Sequence, residues 1–192
     1  MANLHFHYGV MSSSKSAALI ITAYNFTQNK NQVEVIKPSF DTRSADDKIE
    51  SRIGLKWDAI AMPNLQKYTP KPDTKIILVD EVQFFTPSDI DKLVHIADTH
   101  NKIIMCYGLM VDSNENIFPA SQRLIEVGAK LHHKESPCQI HGCTKLATHH
   151  LRFDASGNVI RAGDQFAVGD SNYKSVCRHH YNALYHGKNK TR

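Results

Sequence analysis

The stretch Leu4–Tyr8, followed by Gly9-Val10-Met11-Ser12-Ser13-Ser14-Lys15-Ser16, decides the fold class of this chain. Leu4–Tyr8 alternates large apolar residues with histidines and predicts a strand, whereas apolar residues from Lys15 to Thr27 recur at helical spacing. A second strand is predicted at Val33–Ile36, so the chain opens as a βαβ unit. The loop between the first strand and the helix begins with glycine and ends in Lys-Ser. It follows the phosphate-binding pattern G-x-x-x-x-G-K-[ST].

Such a loop needs backbone N–H groups that surround phosphate oxygens at the start of a helix. In this sequence Lys15 would reach the β- and γ-phosphates of ATP, and the Ser16 hydroxyl would help to bind Mg²⁺. Ser14 departs from the pattern, because it stands where a second glycine would tolerate a left-handed backbone. A serine-rich helix start that binds no ligand is therefore the alternative. The loop residues predicted to surround the phosphates are Gly9, Val10, Met11, Ser12, Ser13 and Ser14.

A pair of carboxylates ends the next predicted strand. Ile76–Val79 is a continuous apolar run, typical of a buried parallel strand, and Asp80 and Glu81 follow it directly. Ligands of open α/β sheets bind at the carboxyl ends of strands, where an acid such as Asp80 organises Mg²⁺. Glu81, predicted on the opposite side of the strand, would accept a proton from a substrate hydroxyl. The alternative is an exposed turn. The predicted ATP and Mg²⁺ site continues through Val82 and Gln83.

The next elements complete an α/β pattern. Thr86 and Asp89 predict a capping box with proline at the first helical position, and Ile103–Tyr107 predicts another buried strand. Pro119–Val127 predicts a short helix, whereas residues 40–73 are mostly polar and are interpreted as a functional or partly mobile segment. The expected fold class is α/β, a P-loop NTPase-like parallel sheet flanked by helices.

Metal ligands are predicted near the C-terminus. Cys138 and Cys143 form C-x4-C, and Cys177 and His180 form C-x2-H, a set that suits tetrahedral zinc. His141 lies within the first pair and is the alternative to Cys143. Other candidates are interpreted as a core residue, Cys106, and as strand or loop residues without a metal role, His132, His133, His149 and His150.

Composition sets the remaining expectations. The chain has 192 residues and a formal net charge of +4, and its composition changes near Pro137. We therefore expect a nucleotide-binding α/β domain over residues 1–135. A zinc-binding, β-rich domain with a basic tail is expected over residues 136–192. No apolar run reaches the ~20 residues needed to span a bilayer, and the N-terminus lacks a signal-peptide pattern. We expect a cytoplasmic protein that binds neither a membrane nor nucleic acid.

Several segments together resemble one family, the zinc-containing, P-loop type of thymidine kinase, in its bacterial and phage-like members. Asp80–Phe85 looks like its DE-x-QF motif, and Ser51–Leu55 looks like its SRIGL segment. Cys106–Leu109 is similar to its CYGL strand, and Asn172–Tyr181 resembles its YxSVCRxHY ending. Met11 also fits the family's phosphate loop. The order and spacing of these segments agree, so the resemblance covers nearly the whole chain.

The resemblance implies transfer of the γ-phosphoryl of ATP to the 5′-hydroxyl of thymidine, giving dTMP for nucleotide salvage and DNA synthesis. Glu81 resembles the catalytic base, and Arg52 and Lys15 would stabilise the transferred phosphoryl group. A structural zinc would anchor a lasso loop, and the family suggests a homotetramer. Nucleoside-binding roles are implied for Met11, Gln83, Phe84, Leu109, Ser113, Phe118, Asp164, Gln165, Phe166, Ala167, Val168 and Tyr173.

Four positions depart from the family pattern: Ser14, Ala17, Met110 and Ser113. Ser113 replaces a phenylalanine near the base, and Met110 replaces an arginine. These departures support a second hypothesis, a diverged paralogue that binds a nucleotide and has weak or altered nucleoside kinase activity. A non-enzymatic nucleotide-binding or regulatory module is the alternative that Ser14 and Ser113 support. A zinc-ribbon nucleic-acid binder is a third class, but it leaves the phosphate loop unexplained.

Overall fold

A parallel sheet of six strands forms the centre of the computed structural model, which describes residues 3–41, 47–161 and 172–187. In chain order the strands are β1 (Leu4–Tyr8), β2 (Gln32–Pro38), β3 (Lys48–Glu50), β4 (Lys56–Asp58), β5 (Ile60–Met62), β6 (Thr74–Val79), β7 (Ile103–Gly108), β8 (Lys130–His133), β9 (His149–Phe153) and β10 (Asn172–Val176). The central sheet has the order β5-β2-β6-β7-β1-β8, and every neighbouring pair in it is parallel. The sheet therefore confirms the predicted fold class.

Helices cover both faces of the sheet. The main helices are α1 (Lys15–Gln28), α2 (Pro87–His100), α3 (Pro119–Glu126) and α4 (Arg178–Tyr181). Because strand side chains alternate, Ile76 and Leu78 pack with α1, whereas Ile77 and Val79 pack in the core that includes residues of α2 and α3. All four side chains are at most 2% exposed. This two-sided burial explains the continuous apolar run of β6.

The start of α2 is fixed by the predicted capping box. The backbone N–H of Asp89 donates to the Thr86 hydroxyl at 3.2 Å, and the Thr86 N–H donates to the Asp89 carboxylate at 3.0 Å. The same carboxylate accepts the N–H of Leu65 at 2.7 Å. These bonds lower the pKa of Asp89 against the opposing effect of its burial. The capping box therefore also attaches the segment around Leu65 to the start of α2.

The polar segment 40–73 contains three short strands among its described residues. β3 and β4 form an antiparallel pair, and β5 extends the central sheet by pairing in parallel with β2. Each of these strands has only three residues, and most of their side chains are partly or fully exposed. Their formation depends on pairing with other elements and not on an apolar pattern of their own.

The C-terminal part forms a separate small sheet. β9 and β10 pair antiparallel, with His150 opposite Ser175 and Leu151 opposite Lys174. Leu151 and Val176 pack with Cys138, Cys177 and Tyr181 in a small core of their own. Across the described ranges, no helix combines the length and apolar character needed to cross a bilayer.

Candidate active site and metal cluster

The carboxyl ends of three adjacent strands meet at one edge of the central sheet. The loop Gly9–Ser14 follows β1, Asp80 and Glu81 follow β6, and Leu109 follows β7. The strand order β6-β7-β1 places these segments side by side. This edge is where ligands of open α/β sheets bind.

The phosphate loop has a strained backbone. Ser14 has φ 59° and ψ 28°, and Ser12 has φ 61°, so both lie in the left-handed region. For a residue with a Cβ this conformation costs roughly 1–2 kcal/mol. Gly9 is needed for a different reason, because a Cβ there would lie 2.4 Å from the carbonyl oxygen of Lys134. The loop therefore accommodates serine at the second glycine position, with strain.

The first two side chains of α1, Lys15 and Ser16, lie at the candidate site. Lys15 is 9% exposed, and its Nζ donates to the carbonyl oxygen of Val10 at 2.8 Å. Ser16 Oγ donates to Asp80 Oδ2 at 3.0 Å, which joins the start of α1 to the end of β6. A hydroxyl and a carboxylate oxygen at this spacing are the oxygen ligands that Mg²⁺ prefers. Their position at the N-terminus of a helix also favours phosphate.

Glu81 is the second residue after the end of β6. Its φ of 48° is left-handed, and it precedes a 3₁₀ turn at Val82–Phe84. Gln83 Nε2 donates to the Glu81 carboxylate at 2.6 Å, and Gln83 Oε1 accepts the N–H of Leu109 at 2.9 Å. A Cβ on Gly108 would lie 2.3 Å from this Gln83 oxygen. Gln83 and the end of β7 therefore set the position of the Glu81 carboxylate.

Apolar and aromatic side chains line the site next to Glu81. Phe84 makes edge contacts with Phe40 and Phe118, with ring centroids 5.3 and 6.3 Å apart. Phe118 and Leu109 are 2% and 8% exposed. Phe84, Phe118 and Leu109 therefore form an apolar wall that suits a planar aromatic ring.

The other predicted site residues contact different parts of the fold where the structure describes them. Arg52 Nη1 donates to the Ser12 hydroxyl. The Ser113 carbonyl accepts the Tyr181 hydroxyl at 3.1 Å, so Ser113 joins the loop after β7 to the C-terminal part. The ring of Tyr173 lies edge-on to His150 at 6.0 Å. The predicted residues Asp164, Gln165, Phe166, Ala167 and Val168 lie outside the described part of the chain.

Four predicted metal ligands form a cluster. One ligand atom each from Cys138, Cys143, Cys177 and His180 lies within 4.8 Å of the other three. The Cys143 and Cys177 sulfurs are 3.9 Å apart, close to the ~3.8 Å that tetrahedral Zn–S bonds of ~2.3 Å require. His180 Nδ1 lies 3.4 Å from the sulfurs of both Cys138 and Cys177. The donor set and spacing therefore fit zinc. His141 is exposed and is not part of this cluster.

Cys106 and His150 are both buried. Burial raises the pKa of the Cys106 thiol, and the side chain is 0% exposed, as expected of a core residue. His150 lies on β9, and its buried Nδ1 has no hydrogen-bond partner among the residues that the structure describes. Burial, with a smaller effect of the Lys15 charge, lowers the pKa of His150 to about 4. His150 is therefore neutral at physiological pH.

Some residues at this edge were not predicted. Lys37, at the end of β2, is 1% exposed, and its Nζ donates to the carbonyl oxygen of Asp41 at 3.3 Å. β2 lies beside β6, and the N–H of Asp80 donates to the Ile36 carbonyl at 2.8 Å. The sequence signal that could have indicated Lys37 is its charge, directly after the apolar run that ends at Ile36. Ser175, which donates to the Met11 carbonyl, gave no such signal.

Comparisons with known proteins agree with this geometry. The family model described as thymidine kinase matches residues 2–181. Thymidine kinase of Idiomarina loihiensis is 33% identical over 189 residues, covering 94% of this chain and 96% of the relative. Thymidine kinase of Enterobacteria phage T4 is 34% identical over 191 residues, covering 96% and 97%. Thymidine kinase of Coxiella burnetii is 34% identical over 190 residues, covering 94% and 95%. The chain belongs to the thymidine kinase family.

Proposed function

We propose that this protein transfers the γ-phosphoryl group of ATP to the 5′-hydroxyl of thymidine and so supplies dTMP by nucleotide salvage. The observation that carries the proposal is the contact between Ser16 and Asp80 beside Glu81. This contact supports the proposal, because Ser16, Asp80 and Glu81 then share the sheet edge at which phosphate, Mg²⁺ and the acceptor hydroxyl would bind. Membership of the thymidine kinase family supports the kinase class.

The donor half of the proposal rests on the loop Gly9–Ser14 with Lys15 and Ser16. The backbone N–H groups and the Lys15 ammonium would bind the phosphates, with Arg52 near the Ser12 side of the loop. Bound Mg²⁺ would supply charge neutralisation at the phosphates, with Ser16 and Asp80 as its protein ligands. Positioning and charge provide most of the catalysis expected in such a site.

The acceptor half rests on Glu81 and the apolar wall beside it. The Glu81 carboxylate would take the proton of the 5′-hydroxyl as the oxygen attacks phosphorus, and Gln83 would keep that carboxylate in place. Phe84, Phe118 and Leu109 would contact the nucleoside. Further nucleoside contacts are proposed for Met11, Ser113, Tyr173 and the segment Asp164–Val168.

Other features of the family complete the proposal. The cluster of Cys138, Cys143, Cys177 and His180 would bind a structural zinc, because all four tetrahedral positions are filled by protein. We assign residues 1–135 to the nucleotide-binding domain and residues 136–192 to the zinc and lasso domain. A cytoplasmic homotetramer is proposed from the family alone.

A second candidate is a diverged paralogue with weak or altered nucleoside kinase activity. The strained Ser14 and the replacements Met110 and Ser113 favour it. Ser113 offers a small side chain and uses its carbonyl to accept from Tyr181, so an aromatic contact to a base is lost there. This loss would weaken base binding by about 1 kcal/mol.

Transfer of radiolabelled phosphate from ATP to a panel of deoxynucleosides tests both candidates. We expect labelled monophosphate from thymidine, and a fall in kcat of about 10²–10⁴-fold in Glu81→Gln. Glu126→Gln is the matched control, because this exposed carboxylate lies at the end of α3, where it accepts hydrogen bonds from Gln122 and Arg123. Preferred transfer to another deoxynucleoside supports the paralogue. No transfer to any nucleoside refutes both candidates.

A further inference from the structure

The phosphate loop is held by residues outside itself. Ser12 and Ser14 both adopt left-handed backbone conformations, which persist only where surrounding contacts fix them. Within the loop, the backbone offers one bond of 3.3 Å, from the Ser13 N–H to the Val10 carbonyl. The loop therefore depends on contacts from other parts of the fold.

Two such contacts come from the C-terminal third of the chain. The Ser175 hydroxyl donates to the carbonyl of Met11, the residue directly before Ser12. The Lys134 N–H donates to the Tyr8 carbonyl at 2.7 Å, and the Lys134 carbonyl lies against Gly9. In sequence, Lys134 precedes the first ligand of the metal cluster, and Ser175 lies between its second and third ligands. The start of the loop is thus attached at Tyr8 and Gly9 and again at Met11.

Ser175 is itself rigidly placed. It is 0% exposed, its N–H donates to Gln139 Oε1 at 2.7 Å, and its carbonyl accepts the Gln139 N–H at 2.8 Å. Gln139 follows Cys138 directly, and Cys177 lies two residues after Ser175. Both segments that fix Ser175 therefore carry ligands of the metal cluster.

We infer that Ser175 is a positioning residue that maintains the strained phosphate loop and links nucleotide binding to metal binding at the Cys138, Cys143, Cys177 and His180 cluster. The inference rests on the proposed function, because it takes the loop to bind ATP. A metal that fixes Cys138 and Cys177 fixes Ser175, and Ser175 fixes Met11. Linkage requires the converse, so a bound nucleotide strengthens metal retention by the same factor.

A double-mutant cycle tests the positioning role. Binding of a non-hydrolysable ATP analogue with Mg²⁺ is measured by calorimetry in wild type, Ser175→Ala, Ser14→Gly and the double variant. Loss of one buried hydrogen bond predicts binding about three- to tenfold weaker in Ser175→Ala. Glycine at position 14 relieves the strain, so in that background the loss shrinks to under about twofold. Ser156→Ala, in the exposed turn after β9, is the control expected to bind like wild type.

Metal affinity tests the linkage without any activity measurement. Zinc-loaded protein is titrated to equilibrium with a chromophoric chelator, and the zinc dissociation constant is determined with and without the ATP analogue. We expect the analogue to lower this dissociation constant about three- to tenfold in wild type and to have little effect in Ser175→Ala. If Ser175→Ala does not fold, the wild-type comparison alone decides the linkage.

Each outcome has one interpretation. Where wild type binds the analogue, two results refute the positioning role. In the first, Ser175→Ala binds the analogue as tightly as wild type. In the second, Ser175→Ala weakens binding by the same factor with serine and with glycine at position 14. An unchanged zinc dissociation constant of wild type with bound analogue refutes the linkage. If wild type binds no ATP analogue at all, the proposed function fails together with the inference.

Discussion

Three non-glycine residues of the candidate site have left-handed backbones: Ser12, Ser14 and Glu81. Strain of this kind collects where a fold fixes reactive groups. Lys15, Ser16 and Asp80 were predictable, because their chemistry follows from position in a loop or at a strand end. The backbone of Glu81 was not, because contacts with Gln83 set it, and the partner of Gln83 lies 26 residues further along the chain.

Strain at residue 14 predicts a gain in stability on substitution by glycine. Ser14→Gly relieves roughly 1–2 kcal/mol of steric strain but adds flexibility to the unfolded chain worth about 0.4–1 kcal/mol. We expect the free energy of unfolding in urea to rise by about 0.5–1 kcal/mol. Ser13→Gly is the control, because Ser13 is not among the left-handed residues and its hydroxyl contacts Lys15. A gain of the same size in Ser13→Gly would contradict the explanation by strain.

At the scale of elements, the agreement between sequence and structure depends on local signals. The bounds of β1 were predicted as observed, and α2 begins at the predicted cap, because alternation and capping are local. β3, β4 and β5 were not predicted, because strands of three residues form through pairing and not through their own pattern. The hairpin β9–β10 likewise depends on partners distant in the chain.

The capping box of α2 predicts a measurable contribution to stability. Thr86→Ala removes the acceptor for the Asp89 N–H, so we expect a loss of about 1 kcal/mol in the free energy of unfolding. Thr99→Ala serves as the matched control, since that exposed hydroxyl only donates to the His95 carbonyl near the helix end. Equal losses in the two variants would show that the cap has no special role.

At the scale of the whole molecule, the site draws on segments that span nearly the entire chain. Ser175 and Met11 are 164 residues apart, yet they are in contact at the edge of the sheet. No local sequence pattern reports a contact of this kind, so it could not be predicted from the sequence. The metal cluster was predictable because its ligands occur as closely spaced pairs.

Buried histidines predict loss of stability in acid. His7 stacks between Tyr107 and His132, with centroids 4.5 and 4.4 Å away. Both its ring nitrogens are buried, and neither has a hydrogen-bond partner in the described part of the chain. Burial, followed by the charges of His132, Lys134 and His5, lowers the pKa of His7 from 6.5 to about 4. The unfolded chain therefore binds a proton that the folded chain does not, and stability falls as pH drops from 6.5 towards 4.

Replacement of His7 tests this pH dependence. In His7→Phe the free energy of unfolding should fall less between pH 6.5 and 4 than in wild type, because one neutral buried imidazole is absent. The comparison uses urea unfolding at both ends of that window. His95→Gln, an exposed position on α2, should keep the wild-type slope. A His7→Phe slope equal to that of wild type would exclude His7 as a source of acid sensitivity.

The central claim is phosphoryl transfer from ATP to the 5′-hydroxyl of thymidine at the edge where Ser16, Asp80 and Glu81 meet. Phosphorus NMR of the protein with ATP, Mg²⁺ and thymidine tests it most directly, because donor and product are observed together. We predict that the resonances of ADP and of a nucleoside 5′-monophosphate grow in equal amounts and depend on thymidine. Growth of ADP and inorganic phosphate alone, or no change in the ATP resonances, would contradict the account.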